Sequence, residues 1–416
     1  MKDLSVQPVR RLTIVLLLLF ALLVCIRMPQ IVIKGRFWAE EGNHFFTDAW
    51  SMPPLAALFN PFGGYLNLVA NAATLGARWL VPLELAPYFT IGVALLVQLL
   101  PPLLLLTARD PWLQNPFTRC AGAFLLLLVP ASEEIWLQTL HCQFELTLCC
   151  ALILCLQTTD GVAGAGRVAI LFLAPLCGPG AIALMPLFLL RVAGDRSAAR
   201  LFQALALAAG SAIQILLFLT PAATRAYALD PSILLSIFTV RHVALPFLGR
   251  QAAESIASSL RTGLSAGRES PWAILLPLLV FGVAGAFSLA RPARRPAFWF
   301  LAAGLLVALV SYFGAIGPPA NMIDTQFGER YAFVPEALFG MTLLALAATS
   351  TGLASAILWL LVAWKLIVGI GMFDRPWLLV ADGPAWRPEV AAWRAHRNVT
   401  LGTWPTGWRL TLPPSR

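Results

Sequence analysis

Charge is what this chain has least of: Asp, Glu, Lys and Arg together make 12% of its 416 residues, while 59% are hydrophobic and the mean hydropathy is +0.78. No water-soluble domain carries that balance without exposing large apolar patches. The alternating apolar and polar pattern of a membrane β-barrel is missing too, because the apolar runs are continuous. Walker A loops, GxSxG elbows, HExxH helices and dinucleotide fingerprints are all absent, which argues against a cytosolic nucleotide site. The seven cysteines form no CxxC pair and no metal-ligand spacing, lie mostly within apolar runs, and read as small core hydrophobes. The net charge of +9 is scattered in short clusters rather than one stripe, so nucleic acid is not an expected partner.

What is present is a series of apolar runs from Leu12 to Ile370, each long enough to cross a hydrocarbon core of about 30 Å as a helix. The expected fold class is therefore an all-α, polytopic helical membrane protein. Few acidic residues, basic residues that are nearly all Arg, and abundant Ala and Leu suggest a bacterial source and its inner membrane. Lys2, Arg10 and Arg11 precede the first apolar run and hold the N-terminus in the cytoplasm. No small-residue cleavage site follows, so this run reads as an uncleaved helix. Basic turns then recur at Arg109 and Arg119, at Arg167, at Arg191, Arg196 and Arg200, and at Arg291, Arg294 and Arg295, marking every second loop as cytoplasmic. The outer loops are then Lys34 to Gly64, Pro130 to Gln143, a turn at Gly178, a long Pro221 to Ser270 segment, and Gly317 to Arg330. The span length one helix needs gives about eleven crossings. Tyr65 to Trp79 mixes Asn67, Asn71 and Arg78 with apolar residues at helical spacing and reads as a helix lying in the interface. The second crossing follows at Ala86 to Thr107. Residues 1–373 form the membrane domain, and the Trp-rich tail, 374–416, reads as a small extracytoplasmic cap.

Adjacent carboxylates occur twice in outer loops, at Glu40-Glu41 and at Glu133-Glu134, the second pair preceding Trp136, His141 and Gln143. Charge at the hydrocarbon edge is costly and tends to be functional, although a solvated loop carboxylate is the plainer explanation for any one of these groups. Glu40 and Glu41 are flanked by Phe37, Trp38, Phe45 and Phe46, and two carboxylates held in an aromatic setting push at least one pKa upward, which suits a general base acting on a hydroxyl. His44 and His141 sit in separate loops and read as hydrogen-bonded structural histidines rather than metal ligands. Arg330, Arg241 and Arg250 are outer-face arginines able to bind phosphate oxygens bidentately, or simply lipid headgroups.

Phe37-Trp38-Ala39-Glu40-Glu41-Gly42 follows the first helix, and Asn60-Pro61-Phe62-Gly63-Gly64-Tyr65-Leu66-Asn67-Leu68 precedes the interfacial helix. Further on come the Gly178-Pro179-Gly180 turn and Glu329-Arg330-Tyr331 with Pro335 at the entry to a late helix. In these features the sequence resembles the GT-C superfamily of membrane glycosyltransferases. The acidic pair is Glu-Glu where most members pair Asp with Glu or Asp, and Cys177 replaces the lysine some members have before the Gly-Pro turn. The resemblance implies a GT-C-like fold with interfacial helices in the first outer loop. It also implies inverting transfer of a sugar from a polyprenyl-phosphate donor to an envelope glycan or lipid at the periplasmic face. Glu40 or Glu41 would be the base, and Arg330 would neutralise the leaving phosphate. Tyr331, Glu133, Glu134, His141, Gln143 and Arg241 complete the candidate substrate and phosphate contacts. The resemblance fixes no cofactor and leaves a divalent cation open. Expected partners are the polyprenyl-phosphate-linked sugar, the acceptor and membrane lipid. Two alternatives remain: a ligase or polymerase of O-antigen type, keyed to Arg241-His242, and a non-enzymatic transporter or flippase of lipid-linked sugar.

Overall fold

The computed structural model describes residues 6–218, 230–373, 375–396 and 398–413. Lys2, the beginning of the Pro221 to Ser270 segment, Asp374 and the last residues of the tail lie outside them. Of the described residues, 77% are helical. Seven helices among the described residues are long and apolar enough to cross a membrane: Leu83–Leu106, Ala198–Leu217, Pro231–Ser265, Pro271–Leu289, Pro292–Phe313, Glu329–Thr349 and Gly352–Gly371. Pro116–Leu127, Thr139–Cys155 and Gly161–Cys177 are shorter apolar helices.

The helices sort into a centre and a periphery as their composition requires. Glu329–Thr349 is apolar on every side and is buried almost throughout, with Phe333, Val334, Leu338, Met341 and Leu344 in the largest core cluster. A helix hydrophobic all round belongs inside a bundle. Pro271–Leu289 and Gly352–Gly371 are equally apolar yet mostly uncovered, showing Leu275, Leu279, Val283, Leu360 and Ile367 outward. Such faces are stable only in an apolar solvent, so these helices fit a membrane protein.

The loops also sort into two groups, as the spacing of basic residues implied. Asp110 accepts the Gln157 N–H at 3.1 Å, Arg167 donates to the Gln157 carbonyl at 2.5 Å, and Arg200 donates to the Leu156 carbonyl at 2.7 Å. Arg191 lies 5.0 Å from the Trp299 ring, which brings the turn before Arg295–Phe313 to the same end. At the other end, Arg27 closes the first helix by donating to the Leu127 carbonyl at 2.6 Å and pairing with Glu133 at 3.3 Å. The first loop, residues 130–143, the Gly178 turn and the start of Glu329–Thr349 gather there.

Pro231–Ser265 differs from the loop expected between residues 221 and 270: it is helical from Pro231 onward. It is not one straight span. Arg241 donates to the Asp324 carbonyl and Arg261 pairs with the Asp324 carboxylate at 3.1 Å, yet twenty helical residues would separate the two by about 30 Å. Gly249, at φ 78° and ψ 179°, breaks the helix and folds it into a hairpin whose two arms lean on the same loop.

The tail shares a core with the first loop. Phe37, Phe46, Ala77 and Leu83 pack with Trp386, Val390, Trp393, Leu401 and Leu410. Leu401–Gly402 and Arg409–Leu410 pair antiparallel. The Trp404 N–H donates to the Phe37 carbonyl at 2.8 Å, and Arg36, sealed against the Trp404 ring, donates to the Gly402 carbonyl at 3.0 Å and pairs with Glu389 at 3.2 Å.

Candidate active site

The two glutamates of the first loop have different surroundings. Residues 41–46 form a short, wide helical turn, Glu41–Phe46, directly after the extended residues that meet the tail. Glu41 points inward and is buried: its Oε1 accepts the Thr139 N–H at 2.9 Å and the Thr139 hydroxyl, and its Oε2 accepts the Trp38 N–H at 3.3 Å. Burial raises its pKa, and those hydrogen bonds oppose the rise. Glu40 is half-buried and lines a cavity of about 630 Å³. Of the adjacent pair, only Glu40 reaches a space that a substrate could enter.

The cavity lining is both polar and apolar. Glu40, Glu134, His141, Gln143, Arg330 and Tyr331 supply its polar side chains, and Ile182, Ile215, Val307, Val310, Phe313 and Val334 are among its apolar ones. Glu134 and Arg330 form an ion pair. Burial alone would raise the Glu134 carboxyl, but the Arg330 guanidinium and His141 outweigh it and hold it below the usual carboxylate range. His141 is pushed down to about 4 by burial, against the pull of Glu134, so its imidazole is neutral at neutral pH. Its Nδ1 lies 2.6 Å from the Glu134 carbonyl oxygen. A carbonyl only accepts, so Nδ1 carries the proton and the Nε2 lone pair is left for the cavity.

The turn at Gly178 closes one wall. A Cβ on Gly178 would stand 2.1 Å from Gln143 Oε1, and one on Gly180 would stand 2.8 Å from Thr147 Oγ1. Only glycine lets this turn press against the cavity-facing side of Cys142–Cys155. Gln143 is further held within 3.4 Å of the Tyr65 hydroxyl.

Three candidates lie elsewhere. Glu133 is buried between Arg27 and Arg375, at 3.3 and 3.6 Å, in a chain that continues from Arg375 to Glu329 at 3.1 Å. Arg241 is buried and donates to the carbonyls of Met322, at 2.9 Å, Asp324 and Phe327, while its Nη1 meets no partner among the described residues. It pins the loop before Glu329 and is not among the residues that line the cavity. His242 accepts or donates to Glu336 at 3.1 Å and the Tyr312 hydroxyl at 2.8 Å, and Glu336 also pairs with Lys365, all four groups being buried.

Sequence reasoning passed over several cavity residues. Tyr65 falls within a stretch singled out only for its resemblance, while Thr147 and Ser311 sit in apolar helices and carry no local signal. Trp404, Trp386 and Trp393 of the tail are buried and Trp377 stacks on Trp38 at 4.7 Å, whereas Trp408, 42% exposed, reaches the cavity beside Pro405. Among the described residues no group of three or more His, Cys, Asp or Glu side chains is arranged to hold a metal ion. The chain matches no family model, no curated protein and no solved structure.

Proposed function

We propose that the chain is a membrane glycosyltransferase of GT-C type, moving a sugar from a polyprenyl-phosphate donor to an envelope glycan or lipid acceptor with inversion. The observation that supports it is one cavity lined by both charged and apolar side chains, the mixture an amphipathic donor requires: sugar and phosphate at Glu40, His141 and Arg330, polyprenyl chain along Ile215, Val307 and Val310. In this reading about eleven helices cross the membrane once the short ones are counted. The cavity then lies at the periplasmic end, where a donor delivered through the bilayer needs no nucleotide.

The chemistry follows from the polar groups of the lining. Glu40 accepts the proton of an acceptor hydroxyl as that oxygen attacks the anomeric carbon from the side opposite the phosphate. The bond from that carbon to the phosphate oxygen breaks, and the lipid phosphate leaves with the electron pair. Arg330 gives Glu134 one N–H and has others to offer the charge growing on the phosphate. Glu134 holds the guanidinium in place. His141 Nε2 accepts from a sugar hydroxyl.

The test is release of polyprenyl phosphate from polyprenyl-phosphate-linked sugars by the purified full chain in detergent with an envelope acceptor extract. Release coupled to sugar transfer is expected. Binding of the donor with no release across a panel of sugars would instead make the chain a carrier of lipid-linked sugar.

A further inference from the structure

A second pocket, of about 320 Å³, lies away from the cavity where the interfacial helix Leu68–Leu80 meets the tail helix Trp386–Ala395. Phe46, Trp50, Leu83 and Trp393 form its aromatic and apolar wall, and Arg78 and Arg394 supply its charge. The two arginines are not equivalent. Arg394 is held by Glu84 through two hydrogen bonds, at 2.8 and 3.2 Å. Arg78 has no carboxylate partner and no hydrogen bond among the described residues. Its guanidinium lies 4.0 Å from the centre of the Trp50 ring and 5.4 Å from that of Trp79. Trp50 is itself fixed by donating to the Pro413 carbonyl at 3.1 Å.

A guanidinium stacked on an indole keeps its N–H edges pointing sideways, preorganised for two oxygens of one anion. Two cations against one carboxylate leave the pocket positive. Directly beyond Arg78, Trp79 and Leu80 are 63% and 72% exposed, an uncovered apolar lip on the helix whose sequence is amphipathic. A soluble anion would make no use of that lip. A phospholipid would fit both parts, with its phosphate at Arg78 and its acyl chains past Trp79 and Leu80.

We propose that this pocket binds the phosphate headgroup of an anionic membrane lipid, docking the first loop and the tail together on the bilayer surface. The site is separate from the cavity and does not rest on the transferase reading.

The full chain, stripped of lipid in a neutral detergent, is titrated with short-chain phosphatidylglycerol, with phosphatidylcholine of the same chain length and with inorganic phosphate, and bound molecules are counted by native mass spectrometry. Preference for phosphatidylglycerol is expected, weakened about tenfold in Arg78→Gln, the loss of one charge-assisted bidentate contact. Arg78→Lys should fall between, and Arg261→Gln, at an unrelated surface arginine, should match the wild type. Trp79→Gln with Leu80→Gln, which removes the lip and leaves the charge, should also weaken the lipid several-fold while leaving inorganic phosphate unchanged. Equal phosphatidylglycerol binding by wild type and Arg78→Gln would overturn the proposal. So would displacement of the lipid by inorganic phosphate at equal concentration, which would make the pocket a site for soluble anions.

Discussion

His141 and Glu134 are joined through the backbone rather than through their side chains: the imidazole Nδ1 donates to the Glu134 carbonyl oxygen at 2.6 Å, and the Glu134 carboxylate turns away to Arg330. One residue thereby fixes both the tautomer of the histidine and the position of the arginine. Because His141 is pushed down to about 4, against about 6.5 in an unfolded chain, the unfolded state takes up the proton first as pH falls. Stability is therefore full above about pH 6.5 and is lost progressively down to about pH 4. Thermal unfolding of the wild type should show that loss, and His141→Gln should show a smaller one over the same window. Identical pH profiles would mean that the imidazole is not held neutral.

Glu41 works as a structural acceptor. Glu41→Gln places an NH2 group where the carboxylate accepts from Thr139 or from the Trp38 N–H, leaving one buried donor facing another, at about 1–3 kcal/mol. The expected result is a lowered unfolding temperature with measurable turnover remaining. Loss of turnover at unchanged stability would give Glu41 a chemical role.

The buried ion pair between Lys365 and Glu336 joins Glu329–Thr349, which lines the cavity, to Gly352–Gly371, and Glu336 also meets His242, which reaches on to the Tyr312 hydroxyl. Lys365→Met leaves a carboxylate buried without its cation and should destabilise by roughly 3–5 kcal/mol. Lys365→Met combined with Glu336→Leu should recover most of that, as unfolding in detergent would show. No recovery would point to a role for the charges beyond stability.

Much of this arrangement is legible in the sequence because membrane proteins place charge sparingly. Arg167 and Arg200, from two separate basic turns, meet at the neighbouring carbonyls of Gln157 and Leu156, and the acidic pairs marked the two loops that supply Glu40 and Glu134. Which glutamate of each pair faces the cavity was not legible. Neighbours on a helical turn point about 100° apart, and the orientation of Glu41 is set by Thr139, ninety-eight positions away. The partners of Arg241 were not legible either, because they are backbone carbonyls, which every residue has. Likewise the hairpin in Pro231–Ser265 turns on the positive φ of Gly249, one glycine among thirty.

The proposed role of Glu40, deprotonation of the acceptor, is tested most directly by measuring sugar transfer from a polyprenyl-phosphate donor by Glu40→Gln beside the wild type, with unfolding temperatures recorded for both. Glu40 is half-buried and makes no hydrogen bond among the described residues, so the substitution should leave stability unchanged. Transfer should fall by a factor of about 10² to 10⁴, the range a positioned general base contributes. Undiminished transfer by a stably folded Glu40→Gln protein would contradict the account.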